Sequence, residues 1–66
     1  MSVAKTTEIT ASSDDSFEGA VRHGIKKIAK TVDNIEGAWV KEQKVVVKDG
    51  EVKEYRVTMK VTFIVK

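Results

Sequence analysis

The spacing of hydrophobic and polar positions changes along the chain and predicts a helix placed between strands. Residues 3–10 combine Val3 and Ile9 with several threonines, a composition typical of a strand. From residue 17 to residue 32 the apolar positions are three and four residues apart, as one face of a helix requires. Residues 37–47 and 52–66 predict two further strands, and the second alternates strictly between apolar and polar side chains. This order is a β-α-β-β arrangement of the α+β class.

The predicted helix has its own start signals and one unusual position. Ser12 or Ser13 is expected to cap its N-terminus, because a short side-chain oxygen accepts hydrogen bonds from the first free N–H groups. Asp14 and Asp15 favour the positive end of the helix dipole. Gly24 interrupts the apolar stripe at a cost of about 1 kcal/mol relative to alanine. We therefore expect a close approach between helix and strand at Gly24. The stripe comprises Phe17, Ala20, Val21, Gly24, Ile25, Ile28, Ala29 and Val32.

A tight hairpin at residues 48–51 sets the predicted register of the last two strands. Asp49 and Gly50 readily take the positive φ angles of a two-residue type I′ turn. Counting outward from that turn places Ala38 opposite Val61, on the side that the helix covers. The predicted pairs on the other side, called the outer face below, are Gly37 with Thr62, Trp39 with Lys60, Lys41 with Thr58, and Gln43 with Arg56.

The outer face is where a functional site is expected. It is predicted to carry Trp39, the one tryptophan, among polar and charged side chains and Val45. An indole left on an uncovered face would expose a large apolar surface, and tryptophan is enriched at interfaces and binding sites. Packing against another subunit is favoured over stacking on a flat ligand.

The size of the chain favours self-association. Sixty-six residues form one domain, residues 1–66, with a marginal core. The chain has no cysteine and one histidine, so disulfides and a Cys/His zinc site are excluded as sources of extra stability. Oligomerisation is the remaining route for a domain of this size.

Charge and hydropathy indicate the compartment and the partners. The formal net charge is +2, too small to demand a nucleic-acid partner. Lys41, Arg56 and Lys60 beside Trp39 leave open a single-stranded nucleic-acid-binding module, but such modules usually display two or three aromatics. No apolar run suits a signal peptide or a membrane span, so a soluble cytoplasmic protein is expected.

Other candidate chemistry has simpler explanations. Asp14, Asp15 and Glu18 are oxygen ligands of the kind calcium prefers, although helix capping explains them better. Asp33 and Glu36 are a second acidic group, which symmetry could gather into a cation ring. The sequence therefore leaves the ligands of any metal site unknown.

Catalysis has no support from the motifs of the chain. His23 lacks a partner in any recognisable catalytic motif. The serines do not lie in a nucleophile-elbow sequence. No catalytic residue is predicted, and the chain is not expected to be an enzyme.

The segments taken together resemble the dodecin family. The resemblance rests on the serine turn, on the helix ending in Thr-Val-Asp-Asn-Ile at residues 31–35, and on the last strand, Glu-Tyr-Arg-Val-Thr-Met-Lys-Val-Thr-Phe at residues 54–63. It covers nearly the whole chain. It implies a three-stranded antiparallel sheet partly wrapping one helix, and a hollow homododecamer. The implied function is non-enzymatic binding, storage or buffering of flavins such as riboflavin, FMN or FAD.

The same resemblance places both principal flavin contacts on altered residues. The flavin-stacking tryptophan of the family falls on Gly37, and its ring-binding glutamine falls on Arg56. Trp39 could replace the lost aromatic only if the pocket shifted by about 7 Å, two residues of strand rise. We predict ligand contacts at Gly37, Trp39, Gln43 and Arg56. The pattern is closer to dodecins without the flavin tryptophan, one of which is a calcium dodecin, so a flavin-free, calcium-binding variant is the alternative.

Overall fold

The computed structural model describes residues 2–66, and these form the predicted β-α-β-β order. Strand β1 spans Val3–Ser13, helix α1 spans Phe17–Ile28, strand β2 spans Ile35–Lys48 and strand β3 spans Glu51–Val65. Within the described residues the sheet has the order β1-β3-β2, and β3 pairs antiparallel with both neighbours. The expected α+β sheet and helix are confirmed, while residue 1 of the predicted 1–66 domain lies outside the described residues.

The core lies between helix α1 and the two strands β1 and β3. Val57, Met59 and Val61 are fully buried, because alternate residues of the central strand point toward the helix. Ala20 and Gly24 are the buried residues of the helix, and Ala20 packs against Val57 and Met59. Five partly buried apolar residues pack around this core: Ile9, Ala11, Phe17, Val21 and Ile25.

The N-terminus of the helix differs from the prediction. Ser16, rather than Ser12 or Ser13, is the N-cap, and its Oγ accepts a hydrogen bond of 2.9 Å from the N–H of Gly19. Ser13 still belongs to β1, and its Oγ accepts the N–H of Asp15 at 3.0 Å. The run of serines allows several caps, and the length of β1 selects the last of them.

The helix also ends earlier than its apolar stripe. It stops at Ile28, and the N–H of Thr31 donates to the carbonyl of Ile28 at 3.0 Å in a tighter, three-residue turn. Val32, predicted to lie in the helix, therefore lies in the connection. Asn34 adopts a φ of 63°, a left-handed conformation that asparagine tolerates well and that directs the chain into β2.

The hairpin turn forms as predicted, but the strands beyond it contain irregularities. Asp49 and Gly50 have φ values of 53° and 76°, as a type I′ turn requires. One bulge lies between Val46 and Val47, and an opposite shift lies between Val40 and Glu42. A further irregularity lies between Ile35 and Gly37. The first two shifts cancel, so the register is as predicted near Trp39 but displaced by one residue from Glu42 to Val46.

This displacement corrects the predicted face of Gln43. Gln43 pairs with Val57 and so lies on the helix side of the sheet, not on the outer face beside Arg56. Val45 likewise pairs with Tyr55 on the helix side. The residue opposite Arg56 is Lys44, and a shift of one residue exchanges the two faces of a strand.

Strand β2 is the part of the sheet that the helix leaves uncovered. Helix α1 packs chiefly on β1 and β3, and nearly every residue of β2 is exposed. Val40 and Val45, on the helix side, keep 37% and 39% of their surface exposed, and Val47 keeps 57%. Within residues 2–66, no helix is long and apolar enough to cross a membrane.

Gly24 lies where the helix crosses β1 and β3 most closely, as predicted. A Cβ atom at this position would lie 2.9 Å from both the Cβ of Ala11 and the Cε of Met59. These separations are well below ordinary contact. Because the Ala11 Cβ is attached directly to the backbone, the helix would have to move away from β1.

We therefore expect Gly24→Ala to lower the free energy of unfolding. Overpacking a core costs about 1–3 kcal/mol, which should exceed the gain of roughly 1 kcal/mol in helix propensity. Denaturant unfolding at one protein concentration would measure this difference. Lys26→Ala, an exposed helical change, is the control and should stay within about 0.5 kcal/mol. Equal stability of the Gly24→Ala variant would contradict the close packing.

Candidate functional site

The candidate site is the outer face of the sheet, the side opposite helix α1. It is formed by alternate residues of β3 and by the residues that pair with them on β1 and β2. Ion pairs and hydroxyl groups cover most of it, and Trp39 is its large aromatic side chain. The residues on this face are Thr6, Glu8, Thr10, Ser12, Gly37, Trp39, Glu42, Lys44, Val46, Glu54, Arg56, Thr58, Lys60 and Thr62.

Trp39 is exposed on the outer face as predicted. Its surface is 66% accessible, and it pairs with Lys60 across the strands. The Nζ atom of Lys60 lies 5.8 Å from the centroid of the Trp39 ring, within the range of a cation–π contact. The indole is therefore held beside a cation while most of its apolar surface remains in water.

Gly37 leaves an open space next to this tryptophan. It pairs with Thr62 on the outer face, two residues from Trp39 along β2. No atom lies within 4 Å of the position that a Cβ of Gly37 would occupy. Gly37 therefore supplies no stacking surface itself, and within the subunit it gives room for a larger side chain or for a ligand.

Arg56 lies at the other end of the outer face in a charged pocket. It faces Lys44 across the strands, and its Nε donates to an Oε atom of Glu54 at 3.1 Å. This hydrogen bond, more than the accompanying charge attraction, lowers the pKa of Glu54 from its ordinary value. Arg56 lines a pocket of about 190 Å³ together with Thr10, Glu42, Lys44 and Thr58.

The structure does not bring the predicted contact residues together within one subunit. Gly37 and Trp39 are neighbours, whereas Arg56 is four residues along β3 from Lys60, the partner of Trp39. At about 3.3 Å per residue that separation is roughly 13 Å. Gln43 lies on the opposite face. One small ring system therefore cannot contact both Arg56 and the Gly37 position within this chain.

Three charged residues around Arg56 were not predicted as site residues. Glu42 and Lys44 reach the outer face only because of the β-bulge, so strand alternation alone assigns them to the wrong side. Glu54 could have been found, since a carboxylate two residues before Arg56 shares its face in any regular strand. Lys41 lies at the bulge and its Nζ reaches Glu8 of β1 at 3.4 Å, across the central strand.

The acidic residues do not form a metal site within one subunit. Across residues 2–66, no group of three or more carboxylate or imidazole side chains is arranged to hold a metal ion. Glu18 instead forms an ion pair of 3.4 Å with Arg22, one turn along the helix.

Sequence comparison identifies the family. The profile of the Dodecin family matches residues 3–66. The chain belongs to the dodecin family. No curated protein matches the sequence.

Solved dodecin structures share this fold along nearly the whole chain. Dodecin from Streptomyces davaonensis is 29% identical with a TM-score of 0.95, and the match covers 98% of this chain and 96% of that one. A point mutant of Thermus thermophilus dodecin is 27% identical with a TM-score of 0.95, with coverages of 100% and 98%. The calcium chelating antigen calcium dodecin from Mycobacterium tuberculosis is 31% identical with a TM-score of 0.84, with coverages of 97% and 91%.

The hydrogen bond from Arg56 to Glu54 predicts how the Glu54 carboxylate titrates. Its lowered pKa means that this carboxylate stabilises the fold above its ordinary pKa of 4.5, and that the contribution is lost as the pH falls through the lower folded value. Arg56→Gln should raise the pKa of Glu54 toward 4.5 because the charged donor is removed. NMR titration of the side-chain carboxyl carbons would measure the change.

Arg22→Gln is the matched control, because it removes the arginine paired with Glu18 at a distant place on the helix. It should leave the titration of Glu54 unaltered. If Arg56→Gln also leaves the pKa of Glu54 unaltered, the Arg56–Glu54 contact does not exist in solution.

Proposed function

We propose that this chain is one subunit of a non-enzymatic homododecameric shell that binds, stores or buffers small molecules of the flavin type. The observation that carries the proposal is the exposed Trp39 on a sheet face that the helix cannot cover. Membership of the dodecin family supports both the assembly and the class of ligand.

Assembly of identical subunits is supported by the distribution of apolar surface. The fully buried apolar residues of the described chain are Ala20, Val57, Met59 and Val61, a small core for 66 residues. Exposed apolar side chains occur on both faces of β2, with Trp39 on one and Val40 on the other. Copies of the chain can cover these surfaces, and closed symmetry is the usual form of such assemblies.

The proposed ligand site lies where outer faces of neighbouring subunits meet. Trp39 offers a flat apolar surface for an aromatic ring, and the space at Gly37 allows a ring system to approach the strand. Arg56 of another subunit supplies N–H donors for ring oxygens or for the phosphate of FMN or FAD. Arginine has no acceptor, so it does not reproduce the paired contacts of glutamine. We therefore propose that the site binds flavins more weakly than a tryptophan–glutamine site.

Calcium binding is the second candidate, supported by the 31% identical neighbour named calcium dodecin. Asp33 and Glu36 are exposed in and near the start of β2, and rotational symmetry would repeat each carboxylate around an axis. Calcium binds six to eight oxygen atoms, which several subunits can supply jointly. Isothermal titration with calcium, comparing the native chain with Asp33→Asn, would test this candidate.

The first prediction of this proposal concerns assembly. Trp39→Ala should shift the protein from a dodecamer toward smaller species and lower its midpoint of thermal unfolding, because it removes a large apolar interface surface. Light scattering after size-exclusion chromatography would measure the change. Lys53→Ala, on the hairpin, is the control and should remain fully assembled. A Trp39→Ala variant as large and as heat-stable as the native protein would refute the interface role of Trp39.

The second prediction concerns flavin. The native protein should quench riboflavin fluorescence at micromolar concentrations. Gly37→Trp combined with Arg56→Gln should bind at least about tenfold more tightly, since stacking and ring-edge bonds together exceed the 1.4 kcal/mol that this ratio requires. Gly37→Ala with Arg56→Gln is the control, because it adds a Cβ but no aromatic surface. Failure of both the native protein and the tryptophan variant to quench riboflavin would exclude a flavin site on this face.

A further inference from the structure

A groove away from the outer face separates the edge of β1 from the C-terminal half of helix α1. Its volume is about 550 Å³. One wall consists of four consecutive residues of β1, from Ile9 to Ser12, and the other includes Gly24, Ile28 and the turn after the helix. The groove is open to solvent, and its lining is mainly apolar.

The strand wall of this groove presents backbone groups that lack partners from another strand. Strand β1 is an edge of the sheet, because within the described chain it pairs with β3 alone. On the groove side its N–H and C=O groups receive no bond from another strand of residues 2–66. Such an edge is a template for an added strand, since backbone polar groups are rarely left unpaired once covered.

The helix wall is positively charged. Lys27 and Lys30 line the groove, and His23 lies one turn before Lys27 on the same side of the helix. Neither lysine forms an ion pair within residues 2–66. No carboxylate lines this groove. Like charges at this spacing repel one another on a helix, so an acidic occupant would relieve that repulsion.

We propose that this groove binds an extended acidic peptide segment of a partner protein, which adds as a further strand to the free edge of β1. The peptide backbone would satisfy the edge of β1, its apolar side chains would contact Ile9, Ala11 and Ile28, and its carboxylates would face Lys27 and Lys30. An edge strand beside a helix is an established geometry for peptide recognition by strand addition. Four residues of contact correspond to about 13 Å of peptide.

The positive charge of the groove favours an acidic peptide over strand β1 of a second copy as the occupant. Pairing β1 with β1 of another copy would bring Lys27 and Lys30 of both copies toward one another. Such an arrangement places like charges together and disfavours that contact. A small amphiphilic anion would match the charge but would leave the edge N–H and C=O groups of β1 without backbone partners.

The test uses a fluorescein-labelled octapeptide of alternating valine and glutamate with the full-length protein, measured by fluorescence anisotropy. We expect saturable binding of one peptide per chain. The same peptide with N-methyl groups on every residue should bind at least tenfold more weakly, because it cannot donate backbone hydrogen bonds. The alternating valine–lysine peptide should also bind at least tenfold more weakly.

The protein variants locate the site. Lys27→Glu with Lys30→Glu should weaken binding of the glutamate peptide at least tenfold and favour the lysine peptide, whereas Lys48→Glu with Lys53→Glu, on the hairpin, should not. Size-exclusion chromatography of every variant separates loss of the groove from loss of assembly. Native protein that does not bind the glutamate peptide, binding insensitive to N-methylation, or a Lys27/Lys30 variant that binds normally would each overturn the proposal.

Discussion

The main constraint on this structure is that a helix of twelve residues covers two strands of the sheet and leaves the third uncovered. Packing of Val57 and Met59 against Ala20 holds α1 over β1 and β3, and Gly24 permits the close approach. Strand β2 is consequently open to solvent on both faces. The exposed valines and Trp39 of β2 are thus a consequence of the same packing that forms the core, and the surfaces left open are those available for assembly and binding.

Charges on the outer face are organised by pairs that cross strands or share one strand. Lys41 reaches Glu8 across the central strand, while Arg56 holds Glu54 on its own strand. These contacts are solvent-exposed, so each contributes little to the stability of the fold. Their effect is to position Arg56 and to leave Trp39 as the principal apolar feature of the face. The outer face therefore presents one aromatic surface beside several oriented cations.

The separation of Trp39 from Arg56 limits what one copy of the chain can bind on its outer face. Roughly 13 Å of strand lies between them, so one small ring system cannot contact both in the same chain. In the proposed closed assembly the outer faces of neighbouring subunits would meet, and residues distant in one subunit would become neighbours across that contact. The site and the assembly therefore depend on one another, which connects the proposed shell to its proposed ligand.

The sequence determined the features that depend on neighbouring residues. Helical spacing, strand alternation and the Asp49–Gly50 turn gave the element order and the outward face of Trp39, because these signals act over a few residues. Tertiary structure decided where the helix begins and ends, and which face Gln43 and Lys44 occupy. Ser16 becomes the cap only after β1 has extended to Ser13 along β3, and the bulge near Lys41 exists only when β2 and β3 pair. The position of the cap and of the bulge depends on contacts between segments that are distant in sequence, so a pattern of neighbouring residues cannot predict it.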